Sequence, residues 1–281
     1  MKIQFTKMHG CGNDYVYING FTQLIPQEKK ADFVRFVSDR HFGIGSDGVI
    51  FINPSKEADF EMEMFNADGS RSEMCGNGIR CVAKYVHDKG LTDQTRFSII
   101  SGGKIKYMDL TVENGVTTLV KVDMGEPILQ ADLVPVKSTN EQVVDEEIQV
   151  LDQTYHMTCV SMGNPHAVVF WDDVKNMDIE AIGPYFENHE RFPRRTNTEF
   201  VEVTDRAHVS MRVWERGTGE TLACGTGCCA TAVACVLNGR TDRHVTVRVL
   251  GGEVIIDWDE KTGHVFMTGP AEFVFDGEIE Y

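Results

Sequence analysis

Shifted by 149 positions, the chain overlays itself. Without a gap, Met62 to Gly103 aligns with Met211 to Gly252. Identities fall at Met62/Met211, Cys75/Cys224, Gly76/Gly225, Gly78/Gly227, Ala83/Ala232, Gly90/Gly239, Thr92/Thr241, Asp93/Asp242, Gly102/Gly251 and Gly103/Gly252. Near an offset of 151 the pattern extends upstream, with Gly12-Asn13 on Gly163-Asn164 and Ser46 on Asn197. Glycine turns that recur by chance do not keep a common order, so the chain reads as two homologous halves related by a pseudo-two-fold axis. The first half is taken as residues 1–128, with 270–281 returning to it, and the second as 129–269.

Each half alternates short β-branched or aromatic runs with a single long helix, which makes the expected class α/β. The expected strands are Tyr15–Asn19, Val49–Ile52, Phe60–Phe65, Arg96–Ser101 and Thr117–Asp123, then Ala167–Trp171, Glu199–Val203, Ser210–Glu215, Thr246–Leu250 and Glu253–Asp257. A helix follows each Cys-Gly-x-Gly and stops at Gly90 or at Asn238-Gly239. The second helix, Thr226–Asn238, is apolar nearly all round and so must be buried on every side, as strands wrapped around it would achieve. The acidic, glycine-poor stretch Ala131–Asp152 is expected to carry the chain between the halves.

Charge and cysteine usage narrow the function classes. The formal net charge is -16 and Lys and Arg form no cluster, which argues against nucleic acid and anionic membranes as partners. Met1 to Gly10 has no apolar signal core and no run approaches a membrane span, so a cytoplasmic protein is expected. The eight cysteines form no C-x-x-C pair, and no histidine pair accompanies them, so neither zinc nor another metal is expected. Gly43-x-Gly45-x-x-Gly48 matches a dinucleotide fingerprint but leads into Val-Ile-Phe-Ile, a strand rather than a helix, and is discounted. Asn66-Ala-Asp-Gly-Ser lacks the glutamate that closes a calcium loop.

Cys75 and Cys224 each open a helix inside a glycine-rich turn. A helix start offers backbone N–H groups and a partial positive charge, which should lower a thiol's pKa and can bind a carboxylate. Two such sites facing across a pseudo-two-fold would hold one sulfur on each side of an α-carbon. One thiolate then removes the α-proton while the opposing thiol reprotonates the other face, with the N–H groups stabilising the enolate in place of a pyridoxal sink. Cys81, Cys228, Cys229 and Cys235 read as buried small apolar groups.

Met8-His-Gly-Cys-Gly-Asn-Asp-Tyr15, Phe65-Asn-Ala-Asp-Gly-Ser70, Met74-Cys-Gly-Asn-Gly-Ile-Arg80, Gly163-Asn-Pro-His166 and Trp214-Glu-Arg-Gly217 through Ala223-Cys-Gly-Thr-Gly227 together resemble the diaminopimelate epimerases. The resemblance covers nearly the whole chain, in the family's order. It implies pyridoxal-independent interconversion of LL- and meso-2,6-diaminoheptanedioate in lysine and peptidoglycan precursor synthesis, without a cofactor. It also implies two domains, each a mixed or antiparallel sheet barrel around a central helix, with the site in the cleft between them, and a homodimer. Carried over residue by residue, Cys75 and Cys224 become the bases, and Gly76, Asn77, Gly225 and Thr226 the cradle of the reacting carboxylate. Asn13, Asn66, Asn164, Asn197, Glu215 and Arg216 become substrate-binding residues. Arg216 can grip a carboxylate and Glu215 an ammonium, although a pair after a strand can also be merely solvated. His166 either tunes the site or satisfies a buried carbonyl. Some family members carry glutamine where this chain has Gly48, so that contact is absent unless Ser46 or a water replaces it. A proline-type racemase usually has histidine in place of Asn77; a thiol redox protein or binding module would not need both sulfurs.

Overall fold

The protein is represented by a computed structural model that describes residues 1–72 and 75–281; Met74, the first residue of one motif above, lies outside the described residues. The chain divides into two compact units, Met1–Val122 with Gly269–Tyr281, and Asp123–Thr268.

The first unit runs β1 (Lys2–Gly10), β2 (Asn13–Asn19), α1 (Gln27–Ser38), β3 (Gly48–Pro54), β4 (Phe60–Asn66), β5 (Arg71–Ser72), α2 (Gly76–Asp88), β6 (Arg96–Ser101), β7 (Lys104–Glu113) and β8 (Val116–Gly125). The second follows with β9 (Glu146–Val150), β10 (Gln153–Ser161), β11 (Pro165–Phe170), α3 (Ile179–Glu187), β12 (Asn197–Val203), β13 (His208–Glu215) and β14 (Gly219–Thr221). It continues through α4 (Gly225–Leu237), β15 (His244–Val249), β16 (Gly252–Trp258) and β17 (Val265–Gly269). The last strand, β18 (Glu272–Glu280), returns to the first unit and pairs antiparallel with β1.

The repeat seen in sequence is a repeat of pairing. Antiparallel β1–β2, parallel β2–β3, antiparallel β3–β4 and parallel β4–β6 in the first unit match β10–β11, β11–β12, β12–β13 and β13–β15 in the second. The outer partner of β1 is β18, and that of β10 is β9. Register also corrects one equivalence. Gly48 lies opposite Asn66, and Thr198 lies opposite Trp214, which puts Asn197 in register with Glu215. Since 66 and 215 are repeat partners, the counterpart of Asn197 is Gly48, not Ser46.

Two further expectations are revised. Each unit holds a second helix, not one. In α1 the buried Phe33, Val34 and Val37 make an inner face, but its N-cap Pro26 supplies no side-chain bond and so no start signal. In α3, Pro184 reads as a breaker, yet Asp178 caps the helix by accepting from the Ala181 N–H at 3.1 Å. The stretch Ala131–Asp152 is no simple connector either. Ala131, Val134, Val136, Val143, Ile148 and Val150 join the hydrophobic core of the second unit, and the crossing between units falls earlier, inside β8.

As its composition requires, α4 is buried along almost its whole length, packing on β10, β11, β12, β13, β15 and β16. In the first unit α2 packs on β1, β2 and β7. Among the described residues no helix is long and apolar enough to cross a membrane.

Candidate active site

In each unit a short hairpin strand delivers the chain into a helix through a cysteine. Cys75 is the N-cap of α2, with an extended backbone at φ −137° and ψ 114°, and its sulfur accepts from the Gly78 N–H at 3.3 Å. Cys224 is the N-cap of α4 at φ −117° and ψ 109°, accepting from the Gly227 N–H at 3.4 Å. Oxygen side chains usually cap helices in this way; here sulfur does so twice. The third helical residue of each turn is a glycine that faces a buried side chain of a neighbouring strand, which would have to shift for a larger residue. A Cβ at Gly78 would lie 2.7 Å from Ile50 Cδ1, and one at Gly227 would lie 2.7 Å from Glu199 Oε1.

Around Cys75 the side chains come from β2, the loop before β3, and α2 itself. The sulfur lies 3.1 Å from Asn13 Oδ1, and the Asn77 amide donates to that oxygen at 3.4 Å. Arg80, fully buried, donates to Asn77 Oδ1 at 3.0 Å and to the Gly76 carbonyl at 3.3 Å. The Asn13 amide nitrogen donates to Asp47 Oδ2 at 2.7 Å, and Arg40 bridges Asp47 to Asp14. Burial works to raise the Asp14 carboxyl, but hydrogen bonds from Arg40 and Lys7 outweigh it and hold it below the usual carboxylate range. The Tyr15 phenol is pushed up by burial and then by the charges of Cys75 and Asp47. Asn66 closes its own turn, donating to Ser70 Oγ at 3.0 Å. Ser46 is buried and donates to the Gly48 carbonyl at 2.8 Å.

Around Cys224 the shell is differently charged. Thr226 Oγ1 lies 3.5 Å from the sulfur and accepts from the Asn164 amide at 3.3 Å. Asn164 Oδ1 is 3.0 Å from His166 Nε2, and His166 Nδ1 is 2.7 Å from Glu199 Oε1, with both ring and carboxylate fully buried. His166 thus bonds side chains, not a backbone carbonyl. Asn197 donates to the Pro165 carbonyl at 3.2 Å and accepts from the Arg216 N–H at 2.8 Å. Glu215 accepts from Thr221 at 2.5 Å, and the exposed Arg216 guanidinium donates to the Arg194 carbonyl at 2.9 Å.

The helix start does not set the Cys224 titration, contrary to the sequence expectation. Burial first, then the charges of Glu215 and Glu199, push this thiol well above its ordinary value, and the Thr226 and Gly227 bonds offset only part of that. Cys81 and Cys235 are pushed up to about 12 by burial, as inert core thiols are.

Several residues of these shells were not singled out in the sequence. Asp47 and Glu199 meet their partners across 34 and 33 positions, a separation that only strand pairing closes. Glu187, on α3, accepts from Gly217 N–H, Trp214 Nε1 and Arg195, all at 2.8 Å, and so fixes the turn that carries Glu215 and Arg216. Tyr15 belongs to the Met8–Tyr15 motif, and its place two residues after Asn13 is the available signal.

A family model described as diaminopimelate epimerase matches residues 5–130 and 158–274. A diaminopimelate epimerase from Methanococcus maripaludis strain C5 is 57% identical over 278 residues, covering 99% of this chain and 100% of that one. Another from Agathobacter rectalis is 56% identical, covering 99% of each chain. Among solved structures, a phenazine biosynthesis protein of the PhzF family from Bacillus anthracis superposes with a TM-score of 0.70 at 16% identity over 100% of both chains. A hydroxyproline epimerase from Agrobacterium vitis gives 0.69 at 14% identity, covering 99% of this chain and 91% of that one. Both structures share the two-repeat fold. With the motifs matched along nearly its full length at more than half identity, the chain belongs to the diaminopimelate epimerase family.

Proposed function

We propose that this chain is an isomerase that interconverts LL- and meso-2,6-diaminoheptanedioate without pyridoxal phosphate, with Cys75 and Cys224 as its two acid–base groups. The observation that carries the reading is the matched pair of cysteine N-caps, each sulfur taking the N–H of the glycine three residues on. Family membership supplies the substrate class.

The chemistry follows from those groups. One thiolate takes the α-hydrogen as a proton, leaving its electron pair delocalised into the α-carboxylate as an enolate. The other thiol gives its proton to the opposite face, and the centre is inverted. Amides of Gly76, Asn77, Gly225 and Thr226, in the first helical turns, point out of the helical ladder and stabilise the added charge. The distal amino-acid end goes to Asn13, Asn66, Asn164, Asn197, Glu215 and Arg216. Here the raised Cys224 thiol acquires a use. A substrate ammonium held by Glu215 neutralises one of the two carboxylates that, after burial, raise this thiol, so arrival of the correct substrate shifts it towards the thiolate. His166 tunes the same side through Asn164. In this reading the enzyme works in the cytoplasm, in lysine and peptidoglycan precursor synthesis, as a homodimer.

Purified protein should exchange one α-hydrogen of diaminoheptanedioate for deuterium in heavy water with no cofactor added. It should do so far faster than with proline, glutamate or histidine. Preference for any of those three would reassign the substrate.

A further inference from the structure

The shell of Cys75 contains two amides whose orientation is fixed by charged neighbours. A carboxylate only accepts hydrogen bonds, so the group facing Asp47 Oδ2 at 2.7 Å must be the amide nitrogen of Asn13. A guanidinium only donates, so the group facing Arg80 Nη2 at 3.0 Å must be the amide oxygen of Asn77. Both constraints act on one atom. Asn13 Oδ1 is left facing Cys75 Sγ at 3.1 Å, and Asn77 Nδ2 donates to it at 3.4 Å.

We propose that Asp47 is a positioning residue for Cys75: by holding the amide nitrogen of Asn13, it presents the amide oxygen to the sulfur and thereby favours the S–H form. An oxygen can accept from S–H but offers nothing to a thiolate, so this orientation stabilises the protonated sulfur. The Gly78 N–H works in the opposite sense on the same atom. Asp47 is itself held in place. Arg40 binds its Oδ1 at 2.9 Å, the Asp14 N–H donates to Oδ2 at 3.2 Å, and the Asp47 N–H donates to the Asp14 carbonyl at 2.8 Å. The other titratable groups that bear on Cys75 from the elements around it are Tyr15 and Tyr17 on β2 and Cys81 on α2, while Arg80 on α2 reaches the cluster through Asn77.

The consequence for the proposed reaction is that Cys75 starts a turnover carrying its proton. That consequence rests on the two-cysteine reading, but the orientation itself is testable without turnover. The rate of Cys75 alkylation by iodoacetamide, followed against pH by mass mapping of its peptide, reports the thiolate directly. In Asp47→Asn the carboxylate no longer fixes the amide, Asn13 can turn its N–H groups to the sulfur, and the alkylation midpoint should move to lower pH. Asp47→Glu keeps an acceptor and should stay close to the parent profile. In an Asn13→Ala background, Asp47→Asn should move the midpoint far less, because the amide through which it acts is gone. A midpoint unmoved in Asp47→Asn would overturn the proposal, as would an equal shift in the Asn13→Ala background, which would mean the carboxylate acts by charge alone. The Cys224 peptide in the same digests serves as the control: an unchanged profile there shows that the protein is folded. Loss of epimerase activity alone would leave these profiles readable.

Discussion

The two half-sites share a backbone and differ in almost every group beneath it. Cys75 and Cys224 cap their helices in the same way, and Asn13 and Asn164 occupy the same place in the repeat. Below the third helix residue, however, the first unit has Ile50 and the second has Glu199, at identical distances from the glycine above. Two residues further into the helix, the first unit buries Arg80 where the second buries Cys229. Gly48 stands against Asn197, and Asn66 against Glu215. The first half-site therefore carries its buried charge as a cation on the helix, and the second carries an anion on the strand. Duplication kept the cysteine-capped helix start in both units, while the residues around it diverged.

The largest effect should come from the shared part. Cys75→Ala and Cys224→Ala should each lower net epimerisation on the order of a thousandfold, the scale of losing a general acid or base. Chiral chromatography of the diaminoheptanedioate product would measure this. Substantial inversion surviving in either variant would break the equivalence of the two sulfurs.

Gly48→Asn would give the first half-site the side chain that the second has at Asn197. A Cβ there lies 2.0 Å from the Phe65 carbonyl oxygen and 3.0 Å from Tyr15 Cε1, so the β3–β4 ladder must open. The expected cost is about 1–3 kcal/mol, as for other overpacked positions, read as a lower denaturation midpoint in urea. An unchanged midpoint would mean that the strands separate freely and that Gly48 is no constraint. Ser46 does not substitute for the missing side chain, since its hydroxyl is committed to the Gly48 carbonyl.

A smaller effect should follow Glu199→Gln, which makes the second half-site more like the Ile50 side. Glu199 is one of the carboxylates raising the Cys224 thiol. A thiol with a raised pKa is protonated below it and becomes thiolate only as pH climbs through it. Removing the charge lowers that pKa, so alkylation of Cys224 at a fixed neutral pH should quicken several-fold and its pH midpoint should fall. Slower labelling would mean that the His166 pairing, not the charge, governs this sulfur.

Much of this is legible in the sequence. Periodicity located the central strands, and self-alignment located the cysteines, because both signals are local or survive duplication. Several of the strands missed, β1, β9 and β14 among them, have no two apolar residues in a row. In β1, charged and polar Lys2, Gln4 and Thr6 alternate with Ile3 and Phe5, while β18 is half to fully exposed. Ala131–Asp152 was read as a connector because its buried valines are scattered among acidic residues; only the fold gathers them into one core. Likewise the proposed distal anchor was visible in Glu215-Arg216, but not Glu187, which fixes it from another helix. The direction of the Cys224 shift departs from the sequence expectation for a related reason. A helix start is visible in sequence, whereas burial and a carboxylate 25 positions upstream are not.

The return of β18 to β1 also bears on how the molecule is made. The second unit is one uninterrupted segment, Asp123–Thr268, and can close as soon as that length has left the ribosome. The first unit cannot, because the strand that seals β1 is synthesised some 260 residues later than its partner. The nascent chain thus holds β1 with one side of its backbone unpaired through most of translation. The two lysines on that strand, Lys2 and Lys7, are the kind of residues that keep such an edge from pairing with a neighbour before its own partner arrives.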